Sequence, residues 1–144
     1  MGEGSTRIVY LDKKNPEFVI KRAKSLPAYA NWREFLVSHA LEGTRYRELF
    51  AKVHDVSRTG RYLVMQRMEP LKGGERIPSL PNWFTDRKPK NLGREGCYVR
   101  VLDYAQTNLE RVLSDAPCVA WPSGDEISEM AHLLGRLNQI ESEP

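Results

Sequence analysis

The chain has 144 residues, a length that fits one domain, or two small lobes, with a real hydrophobic core. Hydrophobic residues make up 40% of the sequence and charged residues 28%, which excludes a chain that is disordered throughout. The formal net charge of +3 suits an anionic ligand, but the lysines and arginines form no continuous basic stripe, so nucleic acid is not an expected partner.

The sequence also bears on location. No apolar run approaches the roughly 20 residues needed to cross a bilayer, and the N-terminus lacks the apolar core of a signal peptide. Cys97 and Cys118 do not have the spacing of metal ligands, and reduced thiols are the default for such a pair. We therefore expect a cytoplasmic protein with no membrane partner.

The chain starts with a glycine-rich segment that leads into a β-branched run, Ile8 to Leu11. Glycines allow backbone N–H groups to approach phosphate oxygens without an intervening side chain, so Gly2 and Gly4 are candidates for covering the phosphates of a nucleotide. The pattern predicts a loop that feeds a strand, with no strand before the loop.

A polar, turn-rich segment then separates this strand from Phe18-Val19-Ile20-Lys21, which predicts a β-hairpin whose second strand ends in a cation. A helix is predicted from Asn31 to about Leu41 because the apolar residues recur with a period of 3.6. Two stripes of this helix are apolar, so it is expected to be covered on two sides. Glu34 could either bond back to the helix start in a capping box with Asn31 or face a cation.

The middle of the chain predicts a second helical stretch, from Arg45 to about Lys52, and then a hairpin that ends in the strand from Arg61 to Gln66. The segment from Pro70 to Pro81 is rich in glycine and proline and is predicted to be a linker. It divides the chain into residues 1–69 and residues 70–144.

Asp86, Lys88 and Asn91 lie on one short loop, and Asp103 ends the next apolar run, which begins at Cys97. A base, a cation and a metal-holding Asp/Asn pair are the groups that phosphoryl transfer requires. The spacing D-x-K-x-x-N resembles the catalytic loop of protein kinases, and the run V-L-D-Y-A at residues 101–105 resembles the metal-binding D-F-G segment. The chain is therefore similar to protein kinases over residues 2 to about 105.

This resemblance implies an α+β fold. Residues 1–69 would form a lobe with a small antiparallel β-sheet and one main helix, and residues 70–144 a reduced, mostly helical second lobe. Kinases insert two helices between the hinge and the catalytic loop, whereas only a short segment separates Glu69 from Asp86 here. Beyond residue 105 the resemblance fades, and periodicity alone predicts a short helix over 107–113 and a longer one from about 123 to 140.

The resemblance also assigns a nucleotide site. Arg7 stands where the third glycine of the kinase loop would be, so the match of that loop is partial. Lys21 matches the strand lysine that reaches the α- and β-phosphates, and its ion-pair partner is either Glu34 or Glu42. Met65 would border the adenine, and the main chain of Gln66 and Met68 would form hydrogen bonds with the adenine edge. The residues expected to contact nucleotide are Gly2, Gly4, Val9, Lys21, Glu34, Met65, Gln66 and Met68.

The remaining roles concern metal and catalysis. By resemblance Asn91 and Asp103 hold Mg²⁺, Asp86 orients the acceptor hydroxyl, and Lys88 steadies the γ-phosphate of ATP.

The sequence departs from the kinase pattern where the family has His, Arg and Gly; the residues at those places are Phe84, Thr85 and Ala105. Two functions stay open. One is an ATP- and Mg²⁺-dependent phosphotransferase, resembling Ser/Thr protein kinases, that acts on a hydroxyl of a protein or small molecule. The other is a catalytically weak or inactive kinase-like module that binds a nucleotide or a partner protein.

Overall fold

The computed structural model describes residues 2–72 and 75–114. Over these ranges the chain is an α+β fold with two antiparallel β-sheets and two α-helices. The elements in chain order are β1 (Gly2–Glu3), β2 (Arg7–Leu11), β3 (Phe18–Ala23), α1 (Tyr29–Leu41), β4 (Val53–Val56), β5 (Tyr62–Gln66), β6 (Glu69–Pro70), β7 (Leu92–Glu95), β8 (Tyr98–Val101) and α2 (Leu109–Ser114).

Five strands form the first sheet, in the order β1-β2-β3-β5-β4. The predicted hairpins are confirmed, and the second strand continues beyond Lys21 to Ala23. The expectation that no strand precedes the glycine-rich loop is wrong. Gly2 pairs with Val9 in β1, because two extended segments joined by a short turn can complete an antiparallel ladder.

Helix α1 contacts β3, β4 and β5 of this sheet and also contacts α2. It begins at Tyr29, two residues before the predicted start, and residues on both of its predicted stripes are buried. No side chain caps its N-terminus, so the capping box of Asn31 and Glu34 is not formed. Asn31 is buried instead, and its amide Nδ2 donates to the main-chain oxygens of Lys21, Gly60 and Arg61.

The predicted helix over residues 45–52 is wrong. Only a short 3₁₀ turn, Arg47–Leu49, is present. Phe50 then adopts an extended conformation and forms a parallel bridge with Val101, and the N–H of Ala51 donates to the oxygen of Val101 at 2.8 Å. Burial of Phe50 against the second half of the chain outweighs the local helical preference.

Strands β6, β7 and β8 form the second sheet. The predicted single strand that begins at Cys97 is one arm of a hairpin, which turns at Gly96 with a φ of 59°. A Cβ on Gly93 would lie 2.4 Å from the Cβ of Met68, so glycine is needed where β7 meets β6. In the described residues beyond 70, strands rather than helices hold the loop that carries Asp86. The expectation of a mostly helical second lobe is therefore wrong for that part.

The two segments of the predicted division share one hydrophobic core. Leu41 and Met65 belong to the same buried cluster as Phe84 and Tyr104. Phe84, where kinases have His, is buried with its ring centroid 5.6 Å from that of Phe50. An aromatic side chain is accommodated at position 84 because this side chain packs in the shared core.

Helix α2 begins at Leu109, two residues after the start predicted for the short helix over residues 107–113. The helix predicted over residues 123–140 lies outside the described residues. In the part of the chain that the structure describes, no helix has both the length and the apolar character needed to cross a membrane.

Candidate functional site

A cleft of about 650 Å³ lies between the first sheet and the loop that carries Asp86. Sequence-distant residues reach it from β1, β2 and β3, from the end of β5, and from the chain on either side of the β7–β8 hairpin. The predicted site residues that line it are Gly2, Gly4, Val9, Lys21, Met65, Gln66, Met68, Asp86, Lys88, Asn91 and Asp103.

The register of the sheet explains why the cationic residues enter the cleft from β2 and β3. Val9 is directly opposite Lys21, so these two side chains lie on one face of the sheet. Arg7 is two residues before Val9 and lies on that face as well, because strand side chains alternate with a period of two.

Lys21 forms the ion pair that the kinase pattern requires. Its Nζ donates to Oε2 of Glu34 at 2.8 Å and to the main-chain oxygen of Leu102 at 2.6 Å. The side chains of Lys21 and Glu34 are only 4% and 0% exposed. Glu42 pairs with Arg47 instead, at 3.4 Å, so the choice left open by the sequence is decided in favour of Glu34.

Burial and charge act against each other in this pair. Burial lowers the pKa of Lys21, and the carboxylate of Glu34 offsets this only in part. Burial by itself would raise the pKa of Glu34, but the positive charges of Lys21 and Arg7 outweigh it and lower that pKa below its ordinary value. The two cations therefore favour the ionised form of Glu34, while burial disfavours the charged form of Lys21.

The segment with Asp103 is attached to the same ion pair. The N–H of Tyr104 donates to Oε1 of Glu34 at 2.9 Å, and the phenol of Tyr104 donates to the main-chain oxygen of Ala51 at 2.7 Å. Burial, followed by the charge of Glu34, raises the pKa of Tyr104, so its hydroxyl stays protonated and able to donate. Together with the bond from Lys21 to the oxygen of Leu102, they fix the main chain on both sides of Asp103.

Arg7 lines the cleft, although the sequence pattern assigns it no role. Its Nη1 donates to Oε2 of Glu34 at 2.5 Å and approaches Oδ1 of Asn31 at 3.4 Å. Its Nη2 donates to Oδ1 of Asp103 at 2.8 Å. An arginine in place of a glycine of the kinase loop, two residues before a cleft-facing valine, was the available signal.

The loop with Asp86 presents two charges at the mouth of the cleft. Nζ of Lys88 is 3.5 Å from Oδ1 of Asp86, and these side chains are 65% and 37% exposed. Asn91 ends the 3₁₀ turn Pro89–Asn91 and is buried at the base. Its Nδ2 donates to the main-chain oxygen of Asp86 at 3.1 Å, and its own main-chain oxygen accepts from Leu102. The turn therefore fixes Asn91 and leaves Asp86 accessible.

Asn91 and Asp103 also suit a magnesium ion that arrives with a nucleotide. Carboxylate and carboxamide oxygens are the hard ligands that Mg²⁺ prefers, and Mg²⁺ usually combines one or two of them with substrate phosphates and water. The side chain of Asp103 is 44% exposed despite its bond to Arg7, so an ion could reach it. Within residues 2–72 and 75–114, no three His, Cys, Asp or Glu residues form a metal-binding group. The phosphates would have to complete the shell.

Neither the models of known protein families nor the curated proteins give a match to this sequence.

Two details of the expected nucleotide contacts need correction. The N–H of Gly4 donates to the main-chain oxygen of Arg7 at 2.9 Å, because it closes the tight turn between β1 and β2. It is not directed at a phosphate. The N–H of Gln66 donates to the main-chain oxygen of Lys52 at 2.9 Å, so this N–H is not available to an adenine. Met65 lines the cleft as expected and is fully buried.

Proposed function

We propose that the protein is a kinase-like phosphotransferase that binds Mg·ATP in this cleft and transfers the γ-phosphoryl group to a hydroxyl acceptor. The observation that carries the proposal is the ion pair of Lys21 and Glu34, which is hydrogen-bonded to the residues on both sides of Asp103. An ion pair joined in this way to a metal-binding Asp is the arrangement that phosphoryl transfer in kinases depends on. A plain structural ion pair would not need a cleft with Asp86 and Lys88 at its mouth.

Each side chain then has a defined task. Lys21, held by Glu34, would bind the α- and β-phosphates, while Asn91 and Asp103 would hold Mg²⁺. The ion would supply neutralisation of the charge on the phosphates during transfer. Asp86 would orient the acceptor hydroxyl and accept its proton, and Lys88, 3.5 Å away, would bind the γ-phosphate.

The acceptor is proposed to be a serine or threonine hydroxyl of a protein, because a lysine two residues after the catalytic Asp is the Ser/Thr kinase pattern. A small-molecule hydroxyl is the alternative. The exposure of Asp86 and Lys88 at the mouth is compatible with an acceptor that approaches from solvent.

A second candidate is a kinase-like module that binds nucleotide without turnover. One observation favours it: Asp103, the expected metal ligand, already pairs with Arg7 at 2.8 Å. The two candidates share the binding of Mg·ATP and differ in transfer.

Calorimetric titration with Mg·ATP tests the shared part. Asp103→Asn is expected to weaken binding by at least about tenfold in the presence of Mg²⁺, since it removes a charged ligand of the ion. Asp86→Asn is expected to bind within about twofold of wild type, because its carboxylate faces the acceptor rather than the nucleotide. Asp55→Asn, an exposed aspartate on β4, is the matched control. Equal losses in the Asp103 and Asp86 variants would contradict these roles, and no binding by wild type would contradict both candidates.

A further inference from the structure

Arg7 occupies a position that the phosphotransferase mechanism does not use. Its side chain is buried, with 6% of the residue exposed, and its guanidinium bridges the carboxylates of Glu34 and Asp103. Resting on the function proposed above, we propose that Arg7 is a built-in competitor of the metal. It holds Asp103 in the nucleotide-free chain and is displaced from it when Mg²⁺ binds with the nucleotide.

Asn31 fixes the position of the Arg7 guanidinium. Nδ2 of Asn31 donates to the main-chain oxygens of Lys21 at 3.0 Å and Gly60 at 2.8 Å. These bonds turn the amide so that Oδ1 faces Nη1 of Arg7, at 3.4 Å. Arg7 is thus positioned by the sheet, by α1 and by the turn before β5, and its bond to Asp103 is not a chance contact of a surface side chain.

The four side chains joined by these ion pairs are balanced in formal charge without a metal. Arg7 and Lys21 are positive, and their partners Glu34 and Asp103 are negative. A divalent ion that enters such a neutral cluster gains less than one that enters a cluster with an unpaired carboxylate. Without Arg7, the carboxylate of Asp103 would lose its partner and become a stronger ligand.

Mg²⁺ and Arg7 compete for the Asp103 carboxylate because both are cations that bind through its negative charge. Mg²⁺ binds oxygen at about 2.0–2.1 Å and requires near-octahedral geometry. A guanidinium nitrogen 2.8 Å from Oδ1 of Asp103 occupies that side of the oxygen and repels the ion. The exchange is feasible because Arg7 keeps its second partner, Glu34, when it leaves Asp103.

Metal affinity in the presence of ADP tests this role without any turnover. Mn²⁺ serves as the probe, and its free concentration is measured by electron paramagnetic resonance as it is titrated into protein saturated with ADP. Arg7→Gln is expected to bind Mn²⁺ at least about tenfold more tightly than wild type, the gain expected when a charge-assisted bond no longer has to be broken. Arg7→Lys, which keeps the positive charge, is expected to gain less affinity than Arg7→Gln. Arg22→Gln, next to Lys21 but 5.5 Å above the ring of Tyr10 and outside the cleft, is the control.

A measurement on the wild-type protein covers the case in which Arg7→Gln does not fold. The side-chain ¹⁵N resonances of Arg7 are expected to shift when Mg²⁺ and ADP are added together and to change little with ADP alone. Unchanged resonances with Mg·ADP would overturn the inference, as would equal or weaker Mn²⁺ binding by folded Arg7→Gln. Binding of Mg·ADP by wild type with no gain in Arg7→Gln overturns the role of Arg7 alone. No binding by either protein overturns the proposed function as well.

Discussion

At the scale of single residues, Glu34 shows how a charge is kept inside the core. Its carboxylate accepts from Lys21 and Arg7 on one oxygen and from the N–H of Tyr104 on the other. Removing one partner of a buried pair leaves the other charge uncompensated, which typically costs about 3–5 kcal/mol. The position therefore serves both stability and the proposed nucleotide site.

The lowered pKa of Glu34 predicts a dependence of stability on pH. A carboxyl group whose pKa is lower in the folded than in the unfolded chain stabilises the fold above its unfolded pKa, here near 4.5. That stabilisation is lost as the pH falls through the lower, folded pKa. We expect the free energy of unfolding to fall below about pH 4.5, and Glu34→Gln to be less stable at pH 7 but to lack this step.

Urea unfolding of both proteins between pH 7 and about 3 measures the effect. Glu42→Gln is the control, since its carboxylate is 51% exposed and pairs with Arg47 outside the cleft. Parallel pH profiles for wild type and Glu34→Gln would show that Glu34 does not carry the predicted charge.

Gly60 provides a residue-scale prediction about packing. It has a φ of 73°, and a Cβ there would lie 2.3 Å from Nε1 of Trp32. Gly60→Ala is expected to lower the free energy of unfolding by more than about 2 kcal/mol, because it adds overpacking to backbone strain. Gly96 has a φ of 59° with open space around its Cβ position, so Gly96→Ala should show only the strain, about 1–2 kcal/mol. Equal losses in chemical denaturation would mean that the contact with Trp32 is unimportant.

At the scale of elements, the segment around Asp103 is held more firmly than its sequence indicates. Lys21 binds the residue before Asp103 and Glu34 binds the residue after it. The phenol of Tyr104 adds a bond to the main chain of Ala51, where the chain pairs with β8. We expect the main chain of residues 102–104 to keep this conformation with or without nucleotide.

Tyr104→Phe tests that attachment. It removes a buried hydroxyl and leaves the oxygen of Ala51 without this donor, so the free energy of unfolding should fall by about 1–2 kcal/mol. Tyr98→Phe changes a residue that is 64% exposed and should have almost no effect. Chemical denaturation of the two variants decides the point, and an unchanged midpoint for Tyr104→Phe would refute it.

The elements also show what periodicity and turn signals can predict. They located α1 and the first two hairpins because those patterns are local. They failed over residues 45–52, where Phe50 is extended by its pairing with Val101, a residue that is distant in the sequence. The sequence of Asn31 and Glu34 is typical of a helix N-cap, but the side chain of Asn31 forms its hydrogen bonds with β3 and with the turn before β5.

The residues of the candidate site were also predicted only in part. Resemblance to kinases selected Lys21 and the carboxylate at Asp103, and the structure brings both to one cleft. It left the choice between Glu34 and Glu42 open, because only the packing of α1 on the sheet decides it. Arg7 was missed as a site residue because its partners come from α1 and from the end of the next segment, and no sequence spacing relates the three.

At the scale of the whole molecule, one core supports both walls of the cleft. The first sheet supplies Lys21, the second sheet frames the loop with Asp86, and the buried cluster that includes Phe50 and Phe84 joins them. The described chain thus positions kinase-type side chains with few helices. We expect nucleotide binding and folding to be coupled, since a ligand that binds only the folded chain stabilises it.

Transfer of the radiolabelled γ-phosphoryl group from Mg·ATP to a generic protein acceptor, with the unfolding midpoint measured on the same samples, tests the proposed function most directly. Wild type is expected to transfer phosphate, and Asp86→Asn to do so at least about a hundredfold more slowly, because an acceptor-orienting carboxylate typically contributes 10²–10⁴ in rate. The stability of Asp86→Asn should change by less than about 1 kcal/mol, since the carboxylate is near solvent. A folded wild-type protein that binds Mg·ATP without transfer, or an Asp86→Asn variant that transfers at the wild-type rate, would contradict it.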